Sequence, residues 1–485
     1  MILRLPQLFS LITTRLRASS KAKALYDEQL VYDERRLVRK IDGRLVVWLM
    51  VLFAVHKFDR SSLYIARTAH IDQDLRIGEE RFYWIELFSA IGYMIMNFGL
   101  SLIFKWIGPQ KWLSIMISLS GIVLALSVLS KFFMSVLVTR FFIGVFQAGV
   151  FPAIIHLLPY YYSQKEHAFR LSLIWLGLAI VYAFSGFVSL SPARGNGVLS
   201  GWQILLLCAG MTTCFVGVLN FFLVSDSPQS ATWLSPKERD WTEQRAAQST
   251  SCDHAEVRVE LTKIKEVFLD CQVYFLTILY LAVYTCISSQ RKYIHATIAE
   301  MGYAGAQAQA LAIPILLCSS ILSLGVAYYS DHKRQRGIPI AACGIPPTLG
   351  FLVLIFVRQP SVRYLVLFFV MAGMFSILPL LSAWITSNYS HDATKRLLAA
   401  TFVAGIGGFS EILAQLLYRN PASYAQGDTV NLISSVIVIY LALCLRFLLQ
   451  RQNRAVEACE ISKKAHYLHP LPNGIEMVCG QRKMP

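Results

Sequence analysis

Twelve apolar runs of about twenty residues dominate the chain, each long enough to cross a ~30 Å hydrocarbon layer as a helix. They fall at roughly 44–65, 83–104, 112–130, 133–155, 169–190 and 203–224, then 268–290, 308–329, 338–357, 364–387, 397–418 and 430–450. In hydrocarbon a segment must satisfy its own backbone polar groups, so such runs predict an all-α membrane protein with twelve transmembrane helices. The composition agrees: 15% of residues are charged, where a soluble domain carries about 25%. The net charge of +16 is therefore read as a topology and lipid signal, and no nucleic-acid partner is expected.

The runs form two groups of six. The implied organisation is a tail over 1–43, a six-helix bundle over 44–224, a linker over 225–267, a second bundle over 268–450 and a tail over 451–485. The linker holds eight acids and six Lys/Arg and has no long apolar run. With both tails and the linker on one side, about 31 Lys/Arg lie on that side and about 10 on the other. That bias predicts cytoplasmic termini, and a plasma-membrane location is expected. The first residues, MILRLPQLFSLITTRLRASSKAK, are basic and resemble a weak presequence, but a cytoplasmic tail fits them better. Ten scattered cysteines form no metal spacing. No phosphate-binding loop or nucleophile elbow is present. The sequence thus predicts no enzyme, no ATP-driven pump, no cofactor and no metal.

Two short connections mark an internal repeat. GVAYYSDHKRQRG runs from Gly325 to Gly337, and GLSLIFKWIGPQK from Gly99 to Lys111. They begin 226 residues apart, the spacing expected of a duplicated bundle. Gly99, Gly108, Lys111, Gly325, Asp331, Lys333 and Arg334 are the expected gating residues, placed at turns far from the membrane midplane. SDHKRQRG resembles the loop 8–9 signature of the major facilitator superfamily, and FKWIGPQKW resembles its loop 2–3 counterpart without the acidic residue.

Ionisable groups at membrane depth are costly and point to function. Asp59 lies about fifteen residues into the first run, ~22 Å from its start. Arg140 lies ~10 Å below the outer end of the fourth run, at matching depth. A carboxylate and a guanidinium so placed are natural partners, either as a static ion pair or as a substrate-facing one. Arg140, Gly144 and Gln147 share one helical face. Glu411 follows the glycine-rich GIGGF in the eleventh run, and Asn388 stands near the inner end of the tenth.

RFFIGVFQAGVFP and FDRSSLYIAR resemble the span-4 and span-1 elements of the anion:cation symporters, a branch of that superfamily. SDSPQSATWLSPKER and YYSQKEHAFR resemble its segments after span 6 and between spans 4 and 5. Within the branch, the fungal allantoate-permease-like group is most similar. The resemblance implies two six-helix bundles around a central site and proton-coupled uptake of a small organic anion such as a vitamin or ureide. From depth, helical face and placement, Arg140, Gln147 and Asn388 are the expected substrate-binding residues and Asp59 and Glu411 the expected proton-coupling residues, in a chain expected to sit in the lipid bilayer as a monomer. One position departs: Gln147 stands where the family usually has Glu. Gln cannot titrate, so a coupling role must move to Asp59 or Glu411. If coupling is lost, an uncoupled carrier or a non-transporting nutrient receptor on the same fold remains.

Overall fold

The computed structural model describes residues 34–68, 71–190, 200–249, 261–303, 306–390, 392–417 and 424–468. The outer parts of both tails, 1–33 and 469–485, lie outside the described residues. Every regular element among the described residues is helical. The first half holds α1 (Val47–Thr68), α2 (Glu79–Ile107), α3 (Pro109–Leu126), α4 (Phe133–Gln147), α5 (Val150–Tyr161), α6 (His167–Leu190) and α7 (Gly201–Leu223). Two linker helices follow, α8 (Pro236–Ser249) and α9 (Leu261–Leu269). The second half holds α10 (Cys271–Glu300), α11 (Ala306–Lys333), α12 (Gly337–Phe356), α13 (Pro360–Asn388), α14 (Ala393–Gly407), α15 (Phe409–Leu417) and α16 (Tyr424–Leu468).

These fourteen helices make twelve spans, because two spans are broken. In span four, Pro152 has no N–H to offer the Ala148 carbonyl four residues back. The chain breaks there: Ala148 is extended, and Gly149 takes a φ of +81° as the N-cap of α5. In span eleven the break falls at Gly408, between α14 and α15. Broken helices at membrane depth are tolerated where they are buried or line a cavity. Among the described residues, nine helical segments are long and apolar enough to cross a membrane by composition alone. α1, with its Lys57, Asp59 and Arg60, is not one of them, because the charges that make it informative lower its hydropathy.

Within each half, helices pack in matching pairs: α3 on α7 and α2 on α4 in the first, α12 on α16 and α11 on α13 in the second. Small residues set the close contacts. A methyl group at Gly144 of α4 would fall on the Ser89 carbonyl of α2. The halves meet through α11 against α6, α14 against α2 and α5, and α13 against α6. Large apolar side chains such as Phe222, Phe356, Phe369 and Phe447 stay exposed on the outer wall, as a lipid-facing surface requires.

α8 and α9 lie at one end of the bundles, here termed the linker face. Lys40 pairs with Glu238 of α8 at 2.7 Å, and Arg245 of α8 pairs with Glu34 at 2.6 Å. Lys263 of α9 pairs with Asp392 at 3.1 Å, and Glu266 of α9 with Lys395 at 2.6 Å. The linker is thus tied to the first half by one helix and to the second by the other.

Candidate functional site

A cavity of about 50 Å³ lies between the two halves. α1 lines it with Lys57 and Arg60, α2 with Glu86 and Ser89, and α4 with Arg140 and Gln147. α10 contributes Tyr284 and Ser288, and α15 contributes Glu411. Three cations thus face two carboxyl groups in a space that holds a few waters. Small-molecule pockets hold several hundred Å³, so the cavity is contracted in this conformation.

The charges differ in how they are held. Arg60 Nε donates to Glu411 Oε2 at 2.7 Å, an ion pair that joins the halves. The same guanidinium lies 5.1 Å over the Tyr93 ring. Lys57 Nζ donates to the Tyr284 hydroxyl at 3.2 Å and sits over the rings of Phe53, Trp175 and Tyr284. Arg140 is different. Its nitrogens reach only the Asp59 backbone carbonyl at 3.4 Å and Ser62 Oγ at 3.3 Å, and it makes no ion pair among the described residues. Beside it, the Gln147 amide is 1% exposed, and neither its oxygen nor its nitrogen has a partner. Gln147 is the last residue of α4, so the break after it holds that amide at the cavity wall.

The expected Asp59–Arg140 ion pair is corrected by this geometry. The Asp59 carboxylate turns away from the cavity and accepts from Thr213 Oγ1 at 2.6 Å and from Ser120 Oγ at 3.4 Å. It is buried among α1, α3 and α7, and only its backbone oxygen reaches Arg140. Asn388 is also not at the cavity. It ends α13 near the linker face, because α13 runs towards that face and Asn388 is its last residue. Glu86, in the second turn of α2, lines the cavity without being one of the site residues expected from the sequence.

The two repeat turns lie on the linker face. Gly108 joins α2 to α3 with a φ of +81°, and the Asp226 carboxylate stands 3.3 Å from where a Cβ would be. Asp226 Oδ1 accepts from the Gln110 N–H at 2.6 Å at the start of α3. Burial holds the Asp226 carboxyl above its ordinary range, and the Gln110 N–H and the Lys111 charge offset this only in part. The acid that the loop lacks in sequence is therefore supplied from the segment after α7. Gly99 has open space where a Cβ would stand, as does Gly325, and Lys111 is exposed.

At the second turn, Asp331 reaches the other half. Its carboxylate accepts from the Phe169 N–H at 2.8 Å and the Ala168 N–H at 3.3 Å, at the start of α6. Arg336, fully buried, pairs with it at 2.6 Å and donates to the Gln164 carbonyl at 3.2 Å. Lys333 and Arg334, the basic residues expected to act here, are both exposed. His167 Nδ1 and Thr386 Oγ1 stand 3.1 Å apart beside this contact, so the linker face is closed. An anionic side chain at a helix N-terminus is favoured by the unpaired N–H groups and the helix dipole there.

A family model described as Major Facilitator Superfamily matches residues 49–410. An uncharacterized transporter of Schizosaccharomyces pombe is 24% identical over 420 residues, covering 86% of this chain and 84% of that protein. The high-affinity nicotinic acid transporter of Saccharomyces cerevisiae is 20% identical over 424 residues, covering 87% and 79%. Among solved structures, the proton:xylose symporter XylE superposes with a TM-score of 0.65 at 12% identity, covering 84% of this chain and 95% of that one. The transporter FucP in its outward conformation gives 0.63 at 10% identity, covering 82% and 98%. With the family match spanning most of a twelve-span fold around a polar cavity, this chain is a member of the major facilitator superfamily, a multi-pass membrane transporter and not an enzyme.

Proposed function

We propose that the chain imports a small organic anion together with protons, by alternating access to the cavity between its halves. The observation that carries this reading is the state of Arg140: among the described residues, a buried guanidinium with no ion pair, beside a buried Gln147 amide with no partner. A planar guanidinium fork suits a carboxylate, and the adjacent amide supplies a second donor. Lys57 and the Tyr284 ring lie across the cavity and suit a flat or unsaturated anion. A relative named for nicotinic acid transport supports the same substrate class and the allantoate-permease-like branch.

Coupling is assigned to Glu411. Gln147 cannot titrate, and the Asp59 carboxylate faces α3 and α7, away from the cavity. Glu411 both lines the cavity and holds Arg60 across the halves. A proton on Glu411 weakens that pair and frees Arg60, so protonation and rearrangement of the halves are linked. Asp59 then acts as the buried counter-charge that keeps Arg140 in place. The charge bias supports a cytoplasmic linker face and cytoplasmic termini, and uptake suits a place in the plasma membrane.

Radiolabelled uptake in transporter-deficient fungal cells, competed with vitamins, ureides and amino acids, tests the reading. Uptake should be uphill, abolished by a protonophore and lost in Arg140→Ala. Glu411→Gln should retain exchange of anion across the membrane and lose proton-driven accumulation. Uphill accumulation by Glu411→Gln at the wild-type level would remove Glu411 from coupling. A chain that signals in response to the anion without accumulating it would be a receptor on this fold.

A further inference from the structure

We propose that Arg396 and Asn388 form a second carboxylate station on the linker face, which receives the transported anion after it leaves Arg140. This inference rests on the transport reading above. Arg396 stands in the first turn of α14 and is fully buried. Its Nη1 reaches the Ser390 carbonyl at 3.4 Å, while Nε and Nη2 are buried with no hydrogen-bond partner. Those two nitrogens lie side by side on one edge of the guanidinium. They form the fork that takes a carboxylate bidentately.

The carboxylate nearest along the chain is already engaged. Asp392 Oδ1 accepts from the Thr394 and Lys395 N–H groups, and Oδ2 pairs with Lys263. Arg396 makes no ion pair among the described residues. Asn388, on the other side of the same turn, is 5% exposed, and both of its amide atoms are buried without a partner. A fork and an amide, each without a partner among the described residues and eight positions apart around one turn, are the same two groups found at Arg140 and Gln147.

Position explains what the fork is for. The Arg396 guanidinium lies 6.0 Å over the ring of Tyr160, which belongs to α5 of the opposite half. α14 packs on α5 along this interface, and the Asp331 contact with α6 closes the same face. Separating the halves there uncovers the fork on the linker side of the central cavity. An unpaired guanidinium is strongly disfavoured in the closed interior, so an arriving anion stabilises the open form in which the fork is filled. Release to the linker side then proceeds from a site with one cation instead of three.

The test uses the full chain in lipid nanodiscs and phenylglyoxal, which modifies guanidinium groups, with Arg396 followed by peptide mass spectrometry. Millimolar nicotinate or allantoate should slow Arg396 modification by about threefold or more, as occupancy of a protecting site requires. Modification of exposed Arg334 should not change. Protection should persist in Arg140→Gln, where the central site is disabled, and be lost in Asn388→Ala. If neither anion protects Arg396, or if protection vanishes in Arg140→Gln, the station does not exist and any shielding comes from closure around the central site. Protection that survives in Asn388→Ala removes Asn388 and overturns the two-residue site. Uptake by the same preparation, reconstituted in liposomes, is scored separately, so loss of this station leaves the central-site reading standing.

Discussion

The turns at Gly108 and at Asp331 hold corresponding places in the two halves, yet their carboxylates work in opposite directions. Asp226 caps α3 from within its own half. Asp331 leaves its half and takes two N–H groups at the start of α6. The first contact stays within one half and stabilises it locally. The second crosses between the halves, so separating them at the linker face would break it. The two turns are similar in sequence, yet only the second sends its acid across to the other half.

The largest effect expected from this contrast is on alternation. Asp331→Asn removes the charge from the latch and leaves Arg336 buried without its ion pair. Breaking one partner of a buried pair costs about 3–5 kcal/mol, here charged to the closed form alone. The maximal transport rate should fall tenfold or more, while the half-saturation concentration moves by less than about threefold. Purified protein should become more accessible to impermeant reagents at the linker face. A large loss of affinity at an unchanged rate would place Asp331 in binding and erase the distinction between the turns.

The Gly108 turn should respond in stability and not in gating. Its φ of +81° with an extended ψ of 159° is a region that side chains rarely enter, and the Asp226 carboxylate lies beside the missing Cβ. Gly108→Ala should lower stability by about 1–3 kcal/mol, read as a drop in thermal unfolding temperature. The protein that remains folded should show a near-normal ratio of exchange to net uptake. A selective loss of alternation in Gly108→Ala would show that this turn also switches.

Asp226→Asn should do less. Asparagine keeps the acceptor for the Gln110 N–H and removes only the charge. The Asp226 carboxyl is raised above its ordinary range by burial. A raised carboxyl contributes stability below its unfolded pKa and loses that contribution as pH rises through the folded pKa. Near pH 7 the charge therefore gives no stability, and the variant should unfold within about 0.5 kcal/mol of wild type. The gap between the two proteins should shift in favour of the wild type as the pH is lowered. A strongly destabilised Asp226→Asn at neutral pH would mean that the Lys111 charge outweighs burial at this site.

The sequence foretold the fold well because spanning helices are specified locally. All twelve runs became spans, and the 226-residue repeat became the two turns. The fourth span breaks at Ala148 and Gly149, where Pro152 leaves the Ala148 carbonyl without its N–H. The site was read more partially. Arg140, Gln147 and Glu411 come together as depth and helical face imply. The partners did not follow from depth. Asp59 found hydroxyls on α3 and α7, and Arg60 found Glu411 across the halves. Depth fixes height in the membrane, whereas the rotation of each helix about its axis is set by packing against its neighbours. The capping role of Asp226 was hidden for a related reason, since it comes from a segment 116 residues away from Gln110.

The smallest effect expected is at the two residues that look most important in the motif. Lys333 and Arg334 supply its most visible charge, but both are exposed, while Arg336 alone enters the latch. Arg334 holds a positive φ of 53°, so it turns the chain out of α11 and lets Arg336 fold back under Asp331. Replacing both side chains with alanine keeps the backbone path and removes only solvated charge. Exposed substitutions of this kind stay within about 0.5 kcal/mol, so the double variant should transport at a rate within about twofold of wild type. Arg336→Lys keeps a cation yet loses the planar fork that serves Asp331, Ser330 and the Gln164 carbonyl together. Its rate should fall towards that of Asp331→Asn. If the double alanine variant loses tenfold in rate while Arg336→Lys is silent, the motif acts through its exposed charges at the lipid surface. The latch between the halves would then have to be sought at His167 and Thr386 instead.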